Sequence, residues 1–335
     1  MSTSNGETDA DPRLGARVRT ALGLESGPLT VLEGGRSGLT YALRGPEAGY
    51  VVKAVPPGRR ATGRHDVLRQ AVILDAVAGT GVPVPAVRAV DEEQPAWFAM
   101  DLAAGEAVEP VLEPDRAIDP PTARARMLTA ARILGELHSV PLGAIERSVA
   151  ASRPVPEVTT LEAEIGKWAR TMDAVPEDLR PQGTELIAEL AADIPAAVEP
   201  VLVHGDFRLG NVLFDGLVPT ALIDWEIWSV GDPRVDLGWF GVFTDGTLFP
   251  GAGHAVDGLP AEAELADTYR EARGRGSGPT AWFAALSRMK MAAIMGHNLV
   301  RHRRGAHHDP VQEQLPPSIA KMIADARALL AGEPR

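Results

Sequence analysis

The feature that most constrains this chain is a pair of segments close in sequence, Leu202-Val203-His204-Gly205-Asp206-Phe207-Arg208-Leu209-Gly210-Asn211 and Thr220-Ala221-Leu222-Ile223-Asp224-Trp225-Glu226. Between Asn211 and Asp224, the apolar triplets Val212-Leu213-Phe214 and Ala221-Leu222-Ile223 flank the turn-like run Asp215–Thr220. That pattern predicts an antiparallel hairpin. Its symmetric register sets Val212 opposite Ile223 and Asn211 opposite Asp224. An amide oxygen and a carboxylate would then emerge together from a rigid ribbon. Such a pair suits Mg²⁺, which takes few protein ligands and completes its octahedron with water and phosphate oxygens. Asp206 precedes Asn211 on the loop entering the ribbon, where its carboxylate can accept a proton from an incoming hydroxyl or orient it. Arg208 offers fixed positive charge to a transferring phosphate. Each part alone is commonplace, since a loop aspartate is usually a turn residue or a cap. The combination carries the prediction. His204 is expected to hold the loop by hydrogen bonds.

Composition narrows the classes. With 335 residues the chain suits two packed units better than one ordinary core. It has no cysteine, which excludes disulfides, thiolate metal sites and cysteine nucleophiles. The net charge of −12 repels nucleic acid and anionic membrane, so neither is an expected partner. Residues Met1 to Arg13 are polar and acidic, without the apolar run of a signal peptide. No stretch of ~18 apolar residues suggests a membrane span. A cytoplasmic monomer or homodimer is expected.

Short apolar runs broken by Gly and Pro predict strands at Leu29–Leu32, Leu39–Leu43, Tyr50–Ala54, Ala86–Val90 and Ala96–Met100. Helical spacing from His65 to Ala78 places Val67, Ala71, Leu74 and Ala78 on one face, and Gly81-Val82-Pro83-Val84-Pro85 stops that helix. After Gly105 a Pro- and Glu-rich stretch, Glu109 to Pro121, leads into amphipathic helices at Thr122–His138, Thr160–Met172 and Gly183–Ala192. Further helices are expected at Asp232–Val242, Ala261–Ala272, Thr280–Arg303 and Pro317–Leu330. The expected division is a tail and first helix over 1–27, a β-rich unit over 28–104 and a helical unit over 105–335.

The run HGDFRLGN, then IDWE, then Gly231-Asp232-Pro233-Arg234-Val235-Asp236-Leu237 resembles the aminoglycoside phosphotransferase family, and most of all the kinase-like domain fused to some acyl-CoA dehydrogenases. The likeness extends to Gly34-Gly35-Arg36-Ser37-Gly38-Leu39-Thr40-Tyr41, Tyr50-Val51-Val52-Lys53, Gly81–Pro85, Leu134-Gly135-Glu136-Leu137-His138 and the late helix with Arg301 and Gly305. It covers residues from about 28 to 330. The resemblance implies a protein-kinase-like, two-lobed α+β fold with a small β-rich N-lobe and a larger helical C-lobe. It implies transfer of the γ-phosphate of ATP (GTP remaining open) to a hydroxyl of a small molecule, with Asp206 as base and Asn211 and Asp224 as Mg²⁺ ligands. Asp232 matches the family's buried helix-start aspartate that braces the catalytic loop.

For the nucleotide, the resemblance implies phosphate contacts from backbone N–H groups around Gly35, Ser37 and Gly38, since absent side chains allow close approach. It implies Lys53 as the phosphate-pairing cation and Met100, Asp101 and Leu102 as the segment that meets adenine. Kinase-like folds pair the strand lysine with a helix glutamate. Here the register offers Gln70, an acceptor without charge, and Asp66 one turn earlier as a substitute. Weaker ATP binding than a glutamate would give is expected. The 7 residues between Asp224 and Asp232 leave no room for a peptide-docking activation segment. The alternative is a nucleotide-binding module without transfer activity, favoured only by Gln70. Acceptor identity stays open among antibiotics, sugars, amino alcohols and hydroxyacyl thioesters. Asp236, Glu226 and Asp309 would suit a cationic acceptor.

Overall fold

The computed structural model describes residues 11–32, 39–45, 48–63, 66–116, 118–151, 153–275, 281–306 and 308–332. The expected Gly34–Gly38 phosphate turn, with Gly35, Ser37 and Gly38, lies outside the described residues, as does the predicted helix start at His65. The chain divides into two compact units. One comprises Met1–Gly105, Gly143–Val155 and Leu213–Ile227; the other comprises Glu106–Leu142, Pro156–Val212 and Trp228–Arg335.

The first unit is built on an antiparallel sheet of β1 (Leu29–Val31), β2 (Leu39–Arg44), β3 (Gly49–Ala54), β4 (Val87–Asp91) and β5 (Trp97–Asp101), in the order β1-β2-β3-β5-β4. The central strand β3 alternates: Val52 and Ala54 are fully buried, whereas Lys53 between them points to the other face. Val52 and Ala54 join Tyr41, Leu43, Trp97 and Ala99 in a core closed by Leu14 and Val18 of α1 (Pro12–Leu22). Asp11 caps α1 by accepting from the Arg13 N–H, and Gly23 ends it in the left-handed conformation. The second helix, α2 (Leu68–Val77), begins later than its apolar spacing predicted.

The predicted hairpin forms as β8 (Val212–Asp215) and β9 (Val218–Leu222), with a shorter turn than expected. Gly216, at φ 59°, makes the tight reversal, so the chain is back in a strand by Val218. The Thr220 Oγ1 donates to the Leu213 carbonyl at 3.3 Å, two residues short of the partner that a longer turn implied for Leu213. Asp224 therefore lies beyond β9 and not in strand register, with φ at 69°.

The second unit is helical. Its helices are α3 (Pro120–Leu137), α5 (Leu161–Asp173), α6 (Gly183–Ala192), α7 (Arg234–Val242), α8 (Glu262–Arg273), α9 (Ala281–Arg303) and α10 (Leu315–Ala331). A further helix, α4 (Leu142–Ala150), follows α3 in the chain. A small sheet of β6 (Val158–Thr159), β10 (Ser229–Gly231) and β7 (Val201–Val203) leads into the loop that carries Asp206. Both β6 and β10 escaped the sequence, being too short to show a period. Every residue of α7 is buried, and α9 packs between α7, α5 and α10. Gly135 lets α3 approach α8, because a Cβ there would meet the Tyr269 carbonyl oxygen at 2.8 Å. Among the described residues no helix is long and apolar enough to cross a membrane.

Candidate active site

In the second unit the loop from His204 to Asn211 hangs on a buried carboxylate. Asp236, on the wholly buried helix α7, accepts from the His204 N–H at 2.7 Å and the Gly205 N–H at 2.8 Å. His138 at the end of α3 stands 3.2 Å from the same carboxylate through Nε2, and its Nδ1 is 2.9 Å from the Tyr269 hydroxyl. Since a carboxylate only accepts, Nε2 carries the proton and Nδ1 takes the tyrosine O–H. Burial alone pushes Asp236 upward, but the hydrogen bonds from His138 and the Gly205 N–H oppose it, and the carboxyl is held below its usual range. Burial pushes the His138 imidazole down, keeping it a neutral donor. Burial also raises the Tyr269 phenol, which stays protonated.

This corrects two expectations. The brace is Asp236, not Asp232. Asp232 accepts from the Arg234 N–H at 2.9 Å and pairs with the Arg234 guanidinium at 2.6 Å, so it caps and steadies the start of α7. Asp236 is also unsuited to an acceptor's cation, because it is fully buried behind the loop. One helical turn separates the two aspartates, and only packing distinguishes them.

With its backbone pinned, the loop presents Asp206. Gly205, at φ 87°, makes the bend. The Asp206 Oδ1 accepts from Trp239 Nε1 at 2.9 Å, and Oδ2 accepts from Asn211 Nδ2 at 3.0 Å. That Asn211 amide nitrogen also donates to the Asp206 carbonyl at 2.7 Å, which orients its oxygen the opposite way. His204 plays its expected part: its Nδ1 accepts from the Asp206 N–H at 3.2 Å. Arg208 reaches back so that Nε is 3.7 Å from Asp206 Oδ2 and Nη1 is 3.6 Å from Glu109 Oε2. Gly210 makes room for it, since a Cβ there would lie 2.1 Å from Arg208 Nη1.

Glu109 gave no signal in the sequence beyond belonging to a Glu-rich stretch. It is fully buried, accepts from the Gly210 N–H at 2.9 Å, and among the described residues leaves Oε1 without a hydrogen-bond partner. Burial pushes its carboxyl up to about 7, against the pull of Arg208 and the Gly210 N–H.

In the first unit, Lys53 Nζ donates to Gln70 Oε1 at 2.9 Å and to Asp224 Oδ1 at 2.9 Å. The pairing of Lys53 with Gln70 is as the register implied. Asp66 is no substitute, because its carboxylate pairs with Arg153 at 2.6 Å and accepts from the Arg69 N–H. Asp224 holds a left-handed backbone that an aspartate adopts at a cost of ~1–3 kcal/mol, a form of strain found at functional positions. Met100 and Asp101 end β5. The Asp101 N–H donates to the Ala86 carbonyl and the Leu102 N–H to the Gly49 carbonyl, while the Asp101 carboxylate pairs with Arg88 at 2.7 Å. Those two N–H groups are thus already committed to backbone carbonyls. The side-chain oxygens of Asn211, in the second unit, and of Asp224, in the first, are each of the hard type that Mg²⁺ takes.

Glu109 makes stability depend on pH. Its folded value lies above the ordinary 4.5, so its contribution is fully present below that value and lost as pH rises through about 7. Glu109→Gln keeps the acceptor for Gly210 and cannot ionise. Its thermal midpoint should exceed that of the unsubstituted protein by a few degrees at pH 8, with the gap closing toward pH 5. A gap independent of pH would contradict this account.

Comparison with known proteins agrees with this architecture. The model of the phosphotransferase enzyme family (APH) matches residues 28–283. Mouse acyl-CoA dehydrogenase family member 10 is 29% identical over 236 residues, covering 66% of this chain and 21% of that protein. Human acyl-CoA dehydrogenase family member 11 is 26% identical over 280 residues, covering 78% of this chain and 34% of that protein. The chain thus spans at most about a third of these relatives. Among solved structures, a protein of Ralstonia eutropha described as an aminoglycoside phosphotransferase superposes with a TM-score of 0.74 at 23% identity, covering 95% of this chain and 98% of its own. Spectinomycin phosphotransferase with ADP and spectinomycin gives 0.64 at 12% identity, covering 96% and 99%. The GDP complex of aminoglycoside 2'-phosphotransferase-IIIa gives 0.63 at 17% identity, covering 95% and 98%. These likenesses show a kinase-like α+β fold, with an antiparallel sheet in the N-terminal region and helices in the C-terminal part. The chain belongs to the phosphotransferase enzyme family.

Proposed function

We propose that this chain transfers the γ-phosphate of ATP to a hydroxyl of a small molecule. The observation that carries the reading is the Asp206 carboxylate, held on one oxygen by Trp239 Nε1 and on the other by Asn211 Nδ2 while its side chain keeps 26% exposure. A base must be fixed yet reachable. In the reaction the acceptor oxygen bonds to the γ-phosphorus, the bond to the bridging oxygen of ADP breaks, and Asp206 takes the hydroxyl proton. Arg208 brings a guanidinium to the negative charge of the transferring group, and Lys53 pairs with the nucleotide phosphates. Asn211 and Asp224 are the residues that would hold Mg²⁺, whose charge offsets that on the phosphate oxygens. Because most of the work is positioning and charge stabilisation, rigidity of the loop counts for more than any covalent chemistry.

ATP is favoured for the nucleotide, and GTP stays open because solved relatives hold ADP in one case and GDP in another. Relatives in the same fold include a choline kinase and an aminopropanol kinase, so the acceptor class is set by local side chains rather than by the fold. A panel should include hydroxyacyl thioesters, in view of the acyl-CoA dehydrogenase relatives, beside sugars, amino alcohols and antibiotics. We place the protein in the cytoplasm, as a monomer or homodimer.

With Mg²⁺-ATP and an active acceptor, Asp206→Ala and Asp224→Ala should each lower kcat by ~10²–10⁴-fold with the fold intact by circular dichroism. Near-normal turnover in either variant would refute the assignment. Gln70→Glu should lower the KM for ATP by roughly 3- to 10-fold, since a carboxylate holds Lys53 more firmly than an amide does. An unchanged or higher KM would contradict the role given to Gln70.

A further inference from the structure

Lys290 lies on α9 with its side chain buried, and among the described residues no carboxylate pairs with it directly, although Asp206, Glu164 and Asp236 are near enough to favour its charge. Instead its Nζ donates to the Gly205 carbonyl at 2.5 Å and stands 3.7 Å from the centre of the Trp239 ring, with the Trp168 ring at 5.1 Å. The Trp239 indole thus offers its face to an ammonium and its N–H to Asp206 Oδ1. Burying an ammonium without a counter-ion is costly. A methionine or leucine would fill the same space between two indoles at less cost, so a charge kept here calls for a function beyond packing.

We propose that Lys290 is a positioning residue for Asp206. It clamps the peptide that precedes the base and polarises the indole whose N–H holds the base in place. The inference rests on Asp206 being the base. A cation over the ring face draws electron density from the indole and strengthens its N–H as a donor. The carbonyl contact adds a second hold on the Gly205 bend to that of Asp236, whose carboxylate takes the N–H of the same residue. Gly205 is therefore gripped at both ends of its peptide links, by α7 and by α9.

The charge of Lys290 is within experimental reach. Burial pushes its ammonium down to about 8, opposed by Asp206 on the loop, Glu164 on α5 and Asp236 on α7, and assisted by Lys167 on α5. The cation is present below that pH and lost above it. Because the folded value is depressed, the charged form opposes folding at neutral pH, so Lys290→Met should not lower the thermal midpoint at pH 7.

The test reads the linkage with and without catalysis. The chain has 6 tryptophans, so its indole N–H resonances can be assigned with a Trp239→Phe variant. In the ¹⁵N spectrum the Trp239 resonance should titrate with a midpoint near pH 8, and in Lys290→Met it should stay fixed at the position of a weaker hydrogen bond. This readout needs no acceptor, so it stands apart from the success of the phosphotransfer reading. With an active acceptor, Lys290→Met should lower kcat at pH 7 by ~10- to 100-fold with the KM for ATP nearly unchanged. It should also abolish the alkaline fall in kcat, whereas Lys290→Arg should retain most of the rate. A Trp239 resonance that does not titrate, or that titrates equally in Lys290→Met, would overturn the proposal. So would a Lys290→Met variant with wild-type kcat at pH 7.

Discussion

A carboxylate sealed inside the helical unit sets the position of everything that could do chemistry there. Asp236 is sealed from bulk solvent, so it must be satisfied by donors, and two of those donors are consecutive backbone N–H groups. A charged acceptor binding adjacent amides leaves the peptide little rotational freedom. The rest of the loop inherits that rigidity. Asp206 follows directly after the pinned residues, and Asn211 and Trp239 then fix its two oxygens. Neutral His138 completes the arrangement by donating its Nε2 proton, with Tyr269 holding the other face of the ring.

Charge around the loop is layered. Asp236 lies behind it, fully buried; Lys290 and Trp239 sit at its side; Arg208 and Asp206 are partly open to solvent. Buried charges supply rigidity, and partly exposed ones are available to react. Glu109 extends the same logic to the Gly210 end, gripping the backbone with a carboxyl whose ionisation burial shifts up to about 7. In the other unit Lys53 is set by strand alternation opposite Val52 and Ala54, and it bridges Gln70 and Asp224.

How much of this was legible from sequence depended on the range of the contacts. The strands of the first unit and the long helices were readable because alternation and helical spacing are local, and their ends fell within a few residues of expectation. The Lys53–Gln70 contact was expected from the resemblance to kinase-like folds, which pair a strand lysine with the first helix, and helical register pointed to Gln70. That Asp206 and Asn211 lie together was legible because one short loop carries both. The hairpin turn was misjudged, since Val218 and Pro219 look like turn residues until Gly216 is seen to complete the reversal. Asp236 was confused with Asp232, because near the start of a buried helix only the facing direction separates a cap from a brace. Glu109 and Lys290 were invisible. Each acts across roughly a hundred residues of sequence, and neither has neighbours that advertise a charge under burial.

The most direct test of this account is amide hydrogen exchange at His204 and Gly205. If the Asp236 carboxylate holds both N–H groups, they should exchange about as slowly as the buried strand residue Leu202, and Asp236→Asn should release them selectively while α9 stays protected. Fast exchange at His204 and Gly205 in the unsubstituted protein, with Leu202 still protected, would show that the brace does not exist and that the loop positions Asp206 by some other means.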